Sequence, residues 1–270
     1  MLTGIDHLVI ACADPEAAAS WLEARLGLRA TGGGRHETMG TFNRLVWLGD
    51  SYLELIGVFD EGLAATSWVG RPTLCALERG GGLATYALAS NDLVGDLTRL
   101  RASGALLEGP IPGERMRPDG RVVRWTLATP PVLGPRDPGF LIEHDATAAE
   151  WTPAERAERA NEVHPAGGPV RLEALELPVR DTRSATLTQL RTLGLQVRPS
   201  LAGGGARDAA VGGQTLRLRR ASPLGMTPTI RLRVEVPSPA AGRRMAANDS
   251  LELLGCRWVI TPAGVPPPTG

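Results

Sequence analysis

Three side chains in the first half of this 270-residue chain are of types that hold a divalent cation or move a proton: His7, Glu54 and Glu143. Each sits inside an otherwise apolar run: Ile5-Asp6-His7-Leu8-Val9-Ile10, Ser51-Tyr52-Leu53-Glu54-Leu55-Ile56 and Gly139-Phe140-Leu141-Ile142-Glu143-His144. A carboxylate in a buried strand is costly to desolvate unless a positive group meets it. An imidazole and two carboxylates so placed therefore suggest a metal. Plainer readings stand beside this one. His7 could be a satisfied core histidine, Glu54 could pair with Arg44, and Glu143 with Arg124.

The elements that must position these residues follow a repeated grammar. An apolar strand is followed by Asp14-Pro15, a start signal for a helix with stripe residues Ala18, Trp21, Leu22, Leu26 and Leu28, stopped by Gly27. Strands are expected near 35–38, 42–48 and 51–59. The second unit has a strand over 83–90, a helix over 92–102, and strands near 106–115, 121–128 and 139–145. A third begins with a strand over 170–179, continues through Asp181 into a helix carrying Leu187, Leu190 and Leu193, and ends in strands near 195–200, 207–211 and 214–220. A fourth has a strand over 229–236, a short helix from Ser238-Pro239, and strands near 250–254 and 256–261. The fold class is α+β: four βαβββ-type modules, the first two paired into a half-open curved mixed sheet, the last two degenerate. The expected domains are residues 1–145 with the site, a linker over 146–169 with a helix at Thr152–Asn161, a C-terminal module pair over 170–262, and a tail over 263–270. Segment 60–82 reads as an insertion, and the Gly-Gly-Gly runs at 32–34, 80–82 and 203–205 as turns.

Seven residues before each helix-opening position stand His7, Thr85, Ala174 and Arg231. Only the first unit keeps an imidazole there, and only the first two units end in Leu-Glu or Ile-Glu. A site therefore belongs to the N-terminal half. Ala offers no ligand and Arg repels a cation, so the C-terminal half is expected to bind no metal and to serve as cover for the N-terminal sheet, as one side of the cleft, or as a subunit contact.

Composition narrows the chemistry. All 29 basic residues are arginine, which removes Schiff-base and Walker-type lysine chemistry. The 29 acids balance them, so no nucleic-acid partner is expected. Cys12, Cys75 and Cys256 form no Cys-x-x-Cys pair, and no apolar run is long enough for a membrane span. The chain reads as soluble, cytoplasmic and bacterial.

The joint placement of these motifs resembles the vicinal oxygen chelate superfamily, and within it the glyoxalase-like proteins. A closer resemblance, to glyoxalase-like members with an embedded His-x-x-x-Gly-Thr-x-Asn, rests on His36, Gly40, Thr41 and Asn43, followed by Tyr52-Leu53-Glu54-Leu55. The resemblance implies a divalent metal (Ni, Zn, Mn or Fe) held by the first and last strands of two modules, positions that fall on His7, Glu54, Thr85 and Glu143. Thr85 departs from the pattern, where His or Gln is usual. Candidate metal ligands are thus His7, Glu54 and Glu143. Glu143, Glu54 and His36 are the candidate catalytic residues; His36, Thr41, Asn43 and Thr85 are the candidate substrate contacts. His36 could equally be an exposed loop residue. His144 should face away from Glu143 and be structural or exposed, and His164 should serve a junction. The implied activity is metal-dependent lyase or isomerase chemistry on a small carbonyl or vicinal-oxygen substrate. The alternative is a metal-free protein that binds or sequesters a small molecule. A homodimer is compatible with either.

Overall fold

The computed structural model describes residues 1–117, 119–135, 137, 139–181, 185–221, 226–235 and 250–262. The chain begins with β1 (Leu2–Ala11) and helix α1 (Pro15–Leu26), then β2 (Gly32–His36), β3 (Thr41–Leu48) and β4 (Ser51–Val58). The Asp14 side chain accepts from the backbone N–H of Glu16 and Ala17, and Gly27 closes the helix in the left-handed region. Ala18, Ala19, Leu22 and Leu26 face the core. Trp21, expected on that stripe, is exposed.

Residues 60–82 form α2 (Glu61–Thr66) and α3 (Gly70–Leu77) before the second unit: β5 (Gly82–Ser90), α4 (Leu93–Ala102), β6 (Glu108–Met116), β7 (Val122–Thr129) and β8 (Phe140–His144). The eight strands form one mixed sheet in the order β2-β3-β4-β1-β5-β8-β7-β6. At its centre β1 pairs in parallel with β4 and antiparallel with β5. The sheet curls until its two edges approach, and the Arg115 guanidinium on β6 donates to the Gly33 carbonyl on β2 at 2.7 Å. The glycine run at 32–34 is thus strand, not turn. Gly33 sits at φ 144°, and a Cβ there would lie 2.3 Å from the Asn43 carbonyl oxygen.

After α5 (Pro153–Ala160) come β9 (Val170–Val179), α6 (Ala185–Thr192), β10 (Val197–Pro199), β11 (Arg207–Val211) and β12 (Gln214–Arg220), then β13 (Thr229–Val234), β14 (Ser250–Leu253) and β15 (Cys256–Pro262). They build a second mixed sheet, β10-β11-β12-β9-β13-β15-β14. The short helix expected from Ser238 lies outside the described residues.

Side chains from both sheets share one apolar core, with Leu8, Leu53 and Tyr86 from the first and Leu175, Leu216 and Trp258 from the second. A second cluster, including Val9, Ala87, Phe140 and Val69, fills the inside of the curled sheet. Polar groups also join the halves. Gln214 accepts from the Ile5 N–H at 2.6 Å and donates to the Ser51 hydroxyl at 2.7 Å, and that hydroxyl donates to the Ile5 carbonyl at 2.7 Å. Replacing Gln214 by Leu strands a β1 amide in a partly buried place. Urea denaturation of Gln214→Leu should show a loss of ~1–3 kcal/mol; an unmoved midpoint would deny this clamp any weight.

Candidate functional site

The inside of the curled sheet holds a narrow cavity of about 50 Å³, room for the centres of a few water-sized groups. Four of the chain's six tryptophans line it: Trp47, Trp68, Trp125 and Trp151. Trp68 arrives with Val69 between α2 and α3, so the insertion supplies one wall. Among the polar lining groups are His7, His36, Asn43, Glu54, Arg115, His144 and Glu150.

His7 is the best-defined of these. Its Nδ1 lies 2.6 Å from Asp6 Oδ1, and its Nε2 lies 3.6 Å from Glu54 Oε2. Its ring stacks on Tyr52 at 4.4 Å and meets the edge of Phe140 at 5.3 Å. Successive strand residues ordinarily point to opposite faces. Here the β1–β5 pairing shifts register between Ile5 and His7, and at this irregularity the Asp6 carboxylate turns back toward the His7 ring. The same Asp6 oxygen is 3.1 Å from His144 Nε2. Burial alone would raise the Asp6 carboxyl, but the His144 and His7 rings hold it well below the usual carboxylate range. An ionised carboxylate only accepts, so His7 Nδ1 and His144 Nε2 carry the hydrogens. His7 Nε2 is left to face the cavity.

Glu54 is fixed from the other side. Its Oε1 accepts from Asn43 Nδ2 at 2.6 Å, while Asn43 Oδ1 accepts from the Gly34 N–H at 2.9 Å. The His-x-x-x-Gly-Thr-x-Asn segment proves to be a β2–β3 hairpin. The register pairs His36 with Thr41 and Gly34 with Asn43, and Gly40 turns at φ 66° where a Cβ would lie 2.3 Å from the Asp60 carbonyl oxygen. His36 is therefore buried, not a loop residue, with Nδ1 3.0 Å from the Thr41 hydroxyl. Burial pushes the His36 ring below its ordinary value, with Glu54 opposing and Arg115 reinforcing. Arg44 reaches Glu16 and the Ala30 carbonyl instead of Glu54.

Glu143 does not join the cluster. The cavity takes Phe140, Ile142 and His144 from β8, the alternate residues, and Glu143 falls between them. Its Oε2 accepts the Leu93 N–H at 2.8 Å, at the start of α4. His144 does face away from Glu143, but toward the cavity, where it is stacked on Trp151 with ring centroids 3.5 Å apart. Strand parity was right and its phase was inverted. Thr85 is fully buried, pairs with Val9 across the ladder, and does not reach the cavity; its hydroxyl has no hydrogen-bond partner among the described residues. Thr41 meets His36 and does not line the cavity. His164 ties the halves of the first unit, with Nε2 2.8 Å from the Trp47 carbonyl and Nδ1 accepting from the Arg29 N–H at 3.1 Å.

Sequence reasoning missed Asp6, Arg115 and Glu150. Arg115 and Glu150 are both buried and lie 2.8 Å apart. The signal for Asp6 was present, a second polar residue beside His7 in an apolar strand. Nothing in sequence marks Arg115 or Glu150, which are 35 residues apart.

The donor set does not make the four-ligand metal site that the resemblance implies. Across the ladder from Glu54 stands Val9, and on β8 the residue at the height of His7 is Phe140, which offers no ligand. Among the described residues no three His, Cys, Asp or Glu side chains are grouped to hold a metal ion. Of the candidate metal ligands, only His7 and Glu54 are brought together.

A model of a glyoxalase-like domain matches residues 5–194, most of the chain. The protein belongs to the glyoxalase-like domain family. Among solved structures, a hypothetical protein from Staphylococcus aureus is 15% identical, with a TM-score of 0.76 over 97% of this chain and 100% of its own. Methylmalonyl-CoA epimerase from Streptomyces coelicolor is 24% identical at a TM-score of 0.41, covering 53% of this chain and 98% of its own. The Mycobacterium tuberculosis epimerase is 22% identical at 0.40, covering 53% and 87%. No curated protein matches the chain. At 15% identity, the likeness of this glyoxalase-like protein to the Staphylococcus aureus structure speaks for the fold alone.

The buried Asp6 carboxylate makes a pH-dependent contribution to stability. A carboxylate with a depressed native pKa stabilises fully above its unfolded value of ~3.9 and loses that effect as the pH falls toward the native value. Asp6→Asn should therefore cost ~1.5–3 kcal/mol near neutrality, and its deficit against wild type should shrink below about pH 4. Thermal or denaturant unfolding at two pH values reads this directly, and an unchanged deficit in acid would contradict it.

Proposed function

We propose that the cavity carries out proton transfer on a small carbonyl compound, the isomerase or lyase type of reaction, with Glu54 and His7 as the acid–base pair. The observation that carries this reading is the 3.6 Å approach of His7 Nε2 to Glu54 Oε2 in a cavity lined with aromatic side chains. Each group is held from behind, His7 by Asp6 and Glu54 by Asn43. Two such acceptors bracket the position of one substrate proton. Glu54 takes the proton from the carbon beside a carbonyl, the electrons move onto the carbonyl oxygen, and return of a proton to carbon completes the turnover. The developing negative charge falls in a cavity that already contains the Arg115 cation, balanced by Glu150. His36 Nδ1 is occupied by Thr41, so its Nε2 is the nitrogen free to meet a ligand.

The proposed proton transfer requires no metal. A divalent ion on His7 and Glu54 would have two protein donors, fewer than the three of ordinary catalytic zinc sites. Protein purified without a histidine tag should accordingly contain well under one equivalent of Ni, Zn, Mn or Fe by elemental analysis. A stoichiometric metal that disappears in His7→Ala would replace this proposal with metal-assisted chemistry.

A second reading, sequestration of a small apolar molecule, is favoured by the four tryptophans around so small a space. Hydrogen–deuterium exchange at carbon separates the two. A panel of small 2-oxo acids and α-hydroxyaldehydes in D₂O, followed by proton NMR, should reveal a compound whose exchange the protein accelerates. Glu54→Gln should slow that exchange by ~10²–10⁴-fold. Tight binding without exchange would establish the second reading.

A further inference from the structure

The chain's net charge of zero conceals a division between its halves. Residues 1–169 carry 15 arginines and 22 acids, whereas residues 170–270 carry 14 arginines and seven acids. The excess of positive charge has a focus on the second sheet. Across β12, β9 and β13, the ladder pairs Arg217 with Glu176 and Glu176 with Thr229, so these side chains share a face with Arg219 and Arg231, two residues further on. Glu176 is buried and is shared by three guanidiniums: Arg217 at 3.1 Å, Arg219 at 3.8 Å, and Arg231 in direct contact. Asp208 takes part of Arg217, at 2.7 and 3.0 Å. Among the described residues Arg219 is the least compensated of the three. It lies outside hydrogen-bond distance of Glu176, and its Nη2 is satisfied by the Thr227 carbonyl. Burial pushes its guanidinium down, Glu176 opposes, and the neighbouring Arg257 and Arg231 push it further. Arg257 pairs with Glu252 on the exposed rim. With Asp208 and Glu252 counted, four arginines face three carboxylates among the described residues.

The position of this cluster is informative. In the first sheet His7 faces Tyr52 on β4 and Ala87 on β5, and two residues on, Val9 faces Glu54. In the second sheet Ala174 faces Thr215 on β12 and Arg231 on β13, and two residues on, Glu176 faces Arg217. Arg217 therefore stands at the ladder place of Glu54, and Arg231 at that of Ala87. The face that presents an imidazole and a carboxylate in one sheet presents guanidiniums in the other.

We propose that this face of the C-terminal sheet, centred on Arg219 and Arg231 beside Glu176, is a binding site for a phosphate-type oxyanion. Guanidiniums offer paired N–H donors that match phosphate oxygens, and Arg219 and Arg231 share one carboxylate between them. An anion there supplies the charge that Glu176 alone does not. Phosphate is favoured over a carboxylate because its doubly charged form can accept from both arginines at once.

The test is calorimetric titration of inorganic phosphate into the full-length protein at constant ionic strength maintained with chloride. Saturable binding of one phosphate per chain is expected. Arg219→Gln, a partly exposed position whose loss leaves the core intact, should weaken it at least tenfold, and Arg219→Gln with Arg231→Gln should abolish it. Glu176→Gln removes the competing carboxylate and should tighten binding, a gain that damage to the fold would not produce. Absence of saturable binding, or binding that survives the double substitution, overturns the site. Malonate that displaces phosphate at equal concentration overturns the assignment to phosphate.

Discussion

A buried carboxylate sets the terms for this site. Asp6 lies inside the first sheet with essentially no access to water, and an isolated charge there would be prohibitively costly. It is tolerated because two imidazoles, from β1 and β8, donate to it. Those bonds fix both rings. His7 is held with Nε2 toward Glu54, and His144 is pressed flat on Trp151. The register irregularity in β1 makes this possible, since it lets adjacent residues Asp6 and His7 reach one another on one side.

The surrounding fold holds that arrangement closed. Arg115 joins the two edges of the curled sheet and pairs with Glu150, which comes from the segment after β8. The insertion between the two units brings Trp68 and Val69 over the cavity. On the outer face, the second sheet covers the first through a shared apolar core. A small cavity bounded by His7 and Glu54 is thus a consequence of sheet closure.

Much of the architecture was legible because periodicity and cap residues agree with each other. Asp14, Asp92 and Thr152 each cap a helix that the sequence signals. The bounds expected for β9, β11 and β12 match those observed. The hairpin of His36, Gly40, Thr41 and Asn43 was legible as a motif, as were His7 and Glu54 as neighbours. Glu143 misled for a specific reason. Apolar residues lie on both sides of β8, so the run gives no clue to which parity faces inward. Glu143 found a helix N-terminus and His144 found the cavity. The Asp6 contact depends on an irregularity that sequence alternation does not contain. Arg115 and Glu150 meet only because the sheet curls.

The central claim is that Asp6 orders the His7 ring so that Nε2 faces Glu54. Nitrogen-15 NMR of the histidine rings near neutral pH tests it most directly. The account predicts a protonated, slowly exchanging Nδ1 on His7 that loses its protection in Asp6→Asn. A His7 ring with its proton on Nε2 and a bare Nδ1, unchanged by that substitution, would contradict it.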